Sequence, residues 1–258
     1  MGFNAPGAAA QGPIVGLGRF GAFAFSVLSA LVTGQWSPRE TLRQASTLTA
    51  RCFLPVNVTI FPFGAVMGLQ GMRILDLFSA HHLVSSLLAQ FIVQELGPVL
   101  AAVLVAAQGG SSFAAELGTM RIKDEIDATE VMAVDPIGWH VAPRILAMAL
   151  VVPLLTIIAN TLGLAGGWTV AVGIYDQPHG VFMAHLVEII GLYDLSCSAL
   201  KGLFFGVLVG AIATYRGFTA RGGAEGVGRA VNDTVVLSVV LILVFNYLLS
   251  SLLYGGVS

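Results

Sequence analysis

Apolar residues in this chain run in long blocks that are broken at short polar intervals. Five blocks are long enough to cross a bilayer, which takes ~20 apolar residues per helix: about Cys52–Leu75, Leu83–Ala107, Val141–Val170, Leu195–Tyr215 and Val231–Tyr254. Pro55 and Pro62 predict a bent first span, and Pro143 and Pro153 a bend in the third, because a proline frees a carbonyl one turn back. An earlier block, Pro13–Trp36, carries Arg19 and several glycines and ends in Gly34-Gln35-Trp36-Ser37-Pro38. It suits either a further span or a helix lying in the interface with Trp36 at headgroup depth. Residues 1–12, rich in Gly, Ala and Pro, are expected to be disordered, with the membrane domain filling residues 13–258.

The pattern changes between the second and third blocks. Glu116, Arg121, Lys123, Asp124, Glu125, Asp127, Glu130 and Asp135 alternate with Ile122, Ile126, Val131 and Met132. This predicts a short amphipathic helix outside the membrane, stopped by Asp135-Pro136-Ile137-Gly138. An apolar ridge with charged flanks suits a protein partner. Tyr175–Leu192 reads as a turn and a short surface helix, and Arg216–Arg229, with glycines at 222, 223, 226 and 228, as a flexible basic connector.

Composition agrees with the pattern. Only 10% of residues are charged and 56% are hydrophobic, against ~25% charged in a soluble domain. The class is therefore all-α and integral to the membrane, and the length leaves no room for an aqueous domain that supplies energy. The 31 glycines scattered through the apolar blocks point to closely packed helices. No basic patch suggests nucleic acid, and Cys52 and Cys197 sit in apolar runs as small buried side chains. The first basic residue is Arg19, so no cleaved leader is expected. Arg39, Arg43, Arg51, Arg121, Lys123, Arg144, Arg216, Arg221 and Arg229 fall on one side of the five spans and only Arg73 on the other. The positive-inside rule makes the richer side cytoplasmic, and five spans then leave the uncharged tail 255–258 outside.

Two ionisable residues interrupt the spans, Glu95 and Lys201, both nearer the external ends. A charge at membrane depth costs ~2.5–3.5 kcal/mol on insertion scales, so it faces protein or a wet cavity and takes a partner. The two could form an ion pair or stand as separate polar points on one cavity wall; Lys201 could alternatively snorkel outwards. Asn57, Gln70, Gln94, Gln108 and Asn160 are read as interhelical hydrogen bonders. His81 and His82 are read as surface histidines, without metal spacing. The glycine-rich connector has neither a preceding strand nor a following Gly-Lys-Ser/Thr, and no nucleophile and base stand in a catalytic pattern. No bond chemistry and no cofactor of its own are expected of this chain.

Glu95-Leu96-Gly97-Pro98, Ala115-Glu116-Leu117-Gly118-Thr119-Met120 and Met132-Ala133-Val134-Asp135-Pro136, in that order and separation, resemble the MlaE/YrbE family. Its members are permeases of ABC transporters that work with MCE proteins to move lipids across bacterial envelopes. The resemblance covers nearly the whole chain. It implies an interfacial N-terminal helix and five transmembrane helices in the bacterial inner (plasma) membrane, with the N-terminus cytoplasmic and the C-terminus external. It also implies a second permease subunit, identical or different, a cytoplasmic ABC ATPase dimer that binds the ATP, and MCE-domain proteins on the outer face. Glu116, Arg121, Asp124, Glu125, Thr129, Met132 and Asp135 would belong to a coupling helix seated on the ATPase. Met67, Ile74, Leu75, Phe78, Gln94, Glu95, Leu96 and Lys201 would line or approach a lipid cavity between the first, second and fourth spans. Similar proteins often carry Arg where this chain has Gln94 and Gln108, which weakens the case for a phosphate headgroup. The Gly/Ala-rich N-terminus and residues 226–232 look like actinobacterial members, which commonly pair two different permeases and handle fatty acids, mycolic-type lipids or sterols. The alternatives are an ion-coupled secondary transporter with Glu95 as the titrating group, or a membrane anchor for MCE proteins that moves nothing.

Overall fold

The computed structural model describes residues 13–254, apart from 33 and 35. The expected disorder of residues 1–12 and the tail 255–258 lie outside the described residues. Within them the chain is all-α: α1 (Pro13–Val32), α2 (Pro38–Asp76), α3 (His81–Ile122), α4 (Glu125–Val131), α5 (Ile137–Gly173), α6 (His179–Ile189), α7 (Leu192–Phe218) and α8 (Gly223–Tyr254). Helices α2, α3, α5, α7 and α8 are long and apolar enough to cross a membrane. At 1.5 Å per residue, the 39 residues of α2 reach roughly 58 Å, well beyond the ~30 Å hydrocarbon core.

Local chemistry sets the boundaries. Extended Ser37 followed by Pro38 at the first helical position starts α2, where the missing proline N–H costs nothing. The Asp135 carboxylate accepts from the backbone N–H groups of Ile137 (3.2 Å) and Gly138 (2.9 Å). Asp135-Pro136 therefore starts α5 rather than stopping the helix before it. That helix, α4, ends at Val131, and Ala133 follows in the left-handed region at φ 60°.

Two further boundaries differ from expectation. The second span does not end near Ala107; α3 continues to Ile122 because two π-helical turns, Ile92–Leu96 and Ala106–Gly110, absorb its irregular stretches without ending it. The charge cluster is thereby divided. Glu116 and Arg121 sit on the end of α3, and only after a break at Asp124 (φ 57°) does α4 begin. Arg216–Arg229 is not a flexible connector either: α7 runs to Phe218 and α8 begins at Gly223, leaving residues 219–222 as the link. Gly222 (φ 91°) and Gly223 (φ 69°) make the turn, and the Arg221 carbonyl occupies the space a Cβ on Gly226 would need.

The spans pack through glycine, as their composition predicts. Gly64 and Gly68 on α2 face Gly163 and Gly167 on α5, where a Cβ on Gly64 would strike the Gly163 carbonyl. Along α7, Gly202, Gly206 and Gly210 meet Pro153, Met148 and Ile145 of α5 in the same way. Small residues at four-residue spacing let backbones touch, which replaces the hydrophobic drive that lipid cannot supply. Central α3 contacts all four other spans, and α2 and α8 lie towards the two edges.

Contacts of α1 settle its two possible placements. Phe23 and Val27 pack against Val141 and Ile145 at the start of α5, and the rings of Phe20 and Phe23 stand 5.2 and 5.3 Å from that of Tyr215 near the end of α7. All these partners belong to one end of the bundle, so α1 lies across that end instead of beside the spans. At the opposite end α6 is a surface helix anchored by Phe182, buried with Met72, Val84 and Leu88.

Candidate functional site

Pro98 places the first element of the site. Having no N–H, it cannot bond the carbonyl of Gln94 one turn back, and that carbonyl accepts from Lys201 Nζ at 2.7 Å. Lys201 has a fully buried side chain. Its ammonium also donates to Ser250 Oγ at 2.7 Å and to Glu95 Oε1 at 3.4 Å, and it lies 5.3 Å from the centroid of the Tyr254 ring. The ion pair between α3 and α7 thus exists, and Lys201 points inwards rather than snorkelling.

Helix α8 completes the network. Ser250 Oγ donates to Glu95 Oε1 and Asn246 Nδ2 to Glu95 Oε2, each at 2.6 Å. Gln94 Nε2 donates to Asp194 Oδ1 at 3.1 Å, and Asp194 Oδ2 accepts from the backbone N–H of Gly191 at the start of α7. Glu95 remains 36% exposed. Asn246, Ser250 and Asp194 were missed by sequence reasoning. The first two were discoverable, being polar residues at i, i+4 in an otherwise apolar block and so on one helical face.

The apolar candidates divide. Met67, Leu75 and Leu96 pack, partly buried, against one cluster that includes Met72, Leu88 and Ile92, while Ile74 and Phe78 are exposed. Gln94, Glu95 and Lys201 come together; Ile74 and Phe78 join the outer surface and not that polar group. Asn160 donates to Ser198 Oγ across helices at 2.9 Å as expected, but Asn57 bonds the Phe53 carbonyl of its own helix. His81 pairs with Asp76 at 3.0 Å, and the His82 ring lies 5.7 Å from that of His185.

At the arginine-rich end, Glu116 joins three helices. Its oxygens lie 3.5 Å from Arg51 Nη1 of α2 and 3.4 Å from Arg144 Nη2 of α5, and Ser112 Oγ of its own helix donates to it at 3.2 Å. Arg144 is buried, donates to the His140 carbonyl and lies over the Phe113 ring. Glu116 is therefore tied to α2 and α5 from the end of α3, with 37% of its side chain still exposed, and is not displayed by α4. Arg121 pairs with Asp127, tying the end of α3 to α4. The expected ridge is split: Ile126 is buried, whereas Val131 and Met132 are exposed beside Asp124, Glu125, Asp127 and Glu130. Thr129 bonds the Ile126 carbonyl.

Five packed apolar helices, a hydrogen-bonded ion pair within them and a charged helix at the arginine-rich end define a multi-pass helical membrane protein. The family model described as permease MlaE matches residues 41–252. A probable ABC transporter permease protein of Rickettsia typhi is 32% identical over 92% of each chain. The intermembrane phospholipid transport system permease protein MlaE of Haemophilus influenzae is 32% identical over 83% of each chain. The chloroplastic protein trigalactosyldiacylglycerol 1 of Arabidopsis thaliana is 29% identical over 89% of this chain and 66% of that protein. The chain belongs to the MlaE family and is an ABC transporter permease.

Proposed function

We propose that this permease moves a lipid across the envelope membrane as one half of a permease dimer, with ATP bound and hydrolysed on a separate cytoplasmic ATPase dimer and MCE-domain proteins on the outer face. The observation that carries the reading is the extent of the family match, residues 41–252, which takes in nearly all of every span, α4, and Gln94, Glu95, Asp194, Lys201, Asn246 and Ser250. The Haemophilus relative is named for phospholipid transport, which supports a lipid cargo. Relatives named as ABC permeases favour ATP-driven movement over ion coupling.

Placing the arginine-rich end in the cytoplasm satisfies the positive-inside rule. Helix α4 then faces the ATPase with Val131 and Met132 as its apolar contact, while Asp124, Glu125 and Thr129 lie along the same short element. Glu116, Arg121 and Asp135 act one step behind it: the clamp with Arg51 and Arg144, the tie to Asp127 and the cap of α5 connect α4 rigidly to α2, α3 and α5. A push on α4 reaches three spans at once. The exposed face of Glu95 opens on the lipid path, with Gln94 and Lys201 holding it, and the apolar Met67, Ile74, Leu75, Phe78 and Leu96 provide surface for acyl chains.

Purification from the native host in mild detergent, with identification of every co-purifying protein and extractable lipid, tests the assembly. An ATPase, a second permease and an MCE protein are expected to accompany the chain; its isolation alone and lipid-free, under conditions that preserve other complexes, would remove the transporter reading.

A further inference from the structure

At the end that carries α6, a cavity of about 410 Å³ lies between two loops, with Ser79, His81 and His82 on one wall and Tyr175, Asp176 and Val181 on the other. The loops are tied to each other. Gln177 Nε2 donates to the His81 carbonyl at 3.2 Å, and the His82 ring stands 5.7 Å from that of His185 on α6. Each loop is also fixed to its own helix: Ala80 N–H bonds the Leu75 carbonyl at 3.0 Å, and Gln177 N–H bonds that of Ala171 at 3.1 Å. Ser79 (φ 51°) and Asp176 (φ 53°) are both held in the left-handed region, which residues other than glycine adopt at a cost. The cavity is therefore built into the fold.

Its open groups accept hydrogen bonds. Asp176, His81 and His82 are exposed. A carboxylate only accepts, so His81 Nε2, 3.0 Å from Asp76 Oδ1, carries the ring proton, and the neutral ring keeps a lone pair on Nδ1. Gln177, 7% exposed, lines the same cavity with Oε1 unpartnered. That oxygen is covered, so recognition falls to the exposed groups. Fixed charge at this end is mostly negative, with Asp76, Asp176, Glu188 and Asp194 against Arg73. The rim is apolar: Leu77 and Phe78 precede Ser79, Ile174 precedes Tyr175, and all three are exposed. A free cation gains nothing from such a rim. A basic side chain presented on a protein surface does, because an interface surrounds its seated anchor with further contacts that exclude water.

We propose that this cavity seats a lysine or arginine side chain of the protein docked on the outer face, with Asp176 as its carboxylate partner and the neutral His81 ring as a further acceptor. This rests on the reading that the α6 end faces outwards and receives an MCE-domain protein. Met72 and Tyr175, which also line the cavity, offer apolar surface to the stem of the side chain.

The test uses the transporter purified from its host, with p-benzoylphenylalanine in place of Val181, which is 37% exposed in the cavity wall. Ultraviolet light is expected to link it to the MCE-domain protein at a peptide that contains a lysine or arginine. Asp176→Asn removes the charge and keeps a residue type that tolerates the left-handed backbone. It should weaken retention of that protein by about tenfold at low salt, with the difference from wild type shrinking as salt rises. Changing the linked basic residue to Ala should weaken retention by wild type and add nothing in Asp176→Asn. Absence of a link in a complex that retains the protein, a linked peptide without a basic residue, or unchanged retention by Asp176→Asn overturns the proposal and leaves the assembly standing. If no MCE-domain protein accompanies the wild type, the proposal and the assembly reading both fail.

Discussion

A lysine with no exposed side-chain surface inside an apolar bundle is stable only because every one of its donors is matched. The match combines an unusual acceptor, the Gln94 carbonyl released by Pro98, with a carboxylate and a hydroxyl. Removing one partner of such a pair leaves a buried charge without compensation, at a cost of about 3 kcal/mol or more. Glu95→Ala should therefore lower the thermal unfolding temperature in detergent markedly. Removing both charges in Glu95→Ala/Lys201→Met should recover most of the loss, since the second change deletes the stranded ammonium. Equal unfolding temperatures for the single and double variants would show that the pair is not energetically coupled.

Among the elements, α2 and α5 depend on backbone contact. Where Gly64 meets the Gly163 carbonyl there is no flexible side chain to give way, so any Cβ forces the helices apart. Gly64→Leu should cost about 2 kcal/mol or more through overpacking and reduce the monodisperse fraction after solubilisation. Gly173→Leu, at a glycine of α5 with open space around it, is the matched control and should leave that fraction unchanged. If both variants behave like the parent, the close α2–α5 approach is wrong. Helix α3 illustrates the complementary device. Its two π turns keep the helix continuous past Pro98 and past Gly109-Gly110, and that continuity carries Glu95 and Glu116 on one rod.

At the scale of the whole molecule, the two ends are chemically distinct. One displays α4 and the arginines; the other displays α6 and the turn after α2. Cys52 and Cys197 are buried, so introduced cysteines report topology. With the arginine-rich end in the cytoplasm, Leu77→Cys should react with a membrane-impermeant maleimide in intact spheroplasts, and Glu130→Cys only after permeabilisation. Both positions are exposed. The opposite labelling pattern would invert the proposed orientation.

Hydrophobicity alone marked five spans, because burying ~20 apolar residues in a row is a local property that no tertiary contact needs to complete, but it left Pro13–Trp36 open as a sixth until the contacts of α1 with α5 and α7 decided its place. The glycine-rich packing, the surface helix α6 and the need of Glu95 and Lys201 for partners were legible for the same kind of reason: each follows from the cost of a residue type in its own segment. Helix ends were less so. Whether Asp135-Pro136 closes one helix or opens the next depends on which N–H groups reach the carboxylate, and whether glycines 222–228 bend or wind depends on how closely Arg221 approaches Gly226. Only the tertiary structure decided the pairings between distant segments. Asn246 and Ser250 stand about 150 residues from Glu95, and Glu116 is tied to α2 and α5 because Arg51 and Arg144 converge on it from those helices. Periodicity assigns a residue to a face of its own helix, but which helix that face meets, and so which acceptors remain open for a ligand, is settled only when the bundle closes.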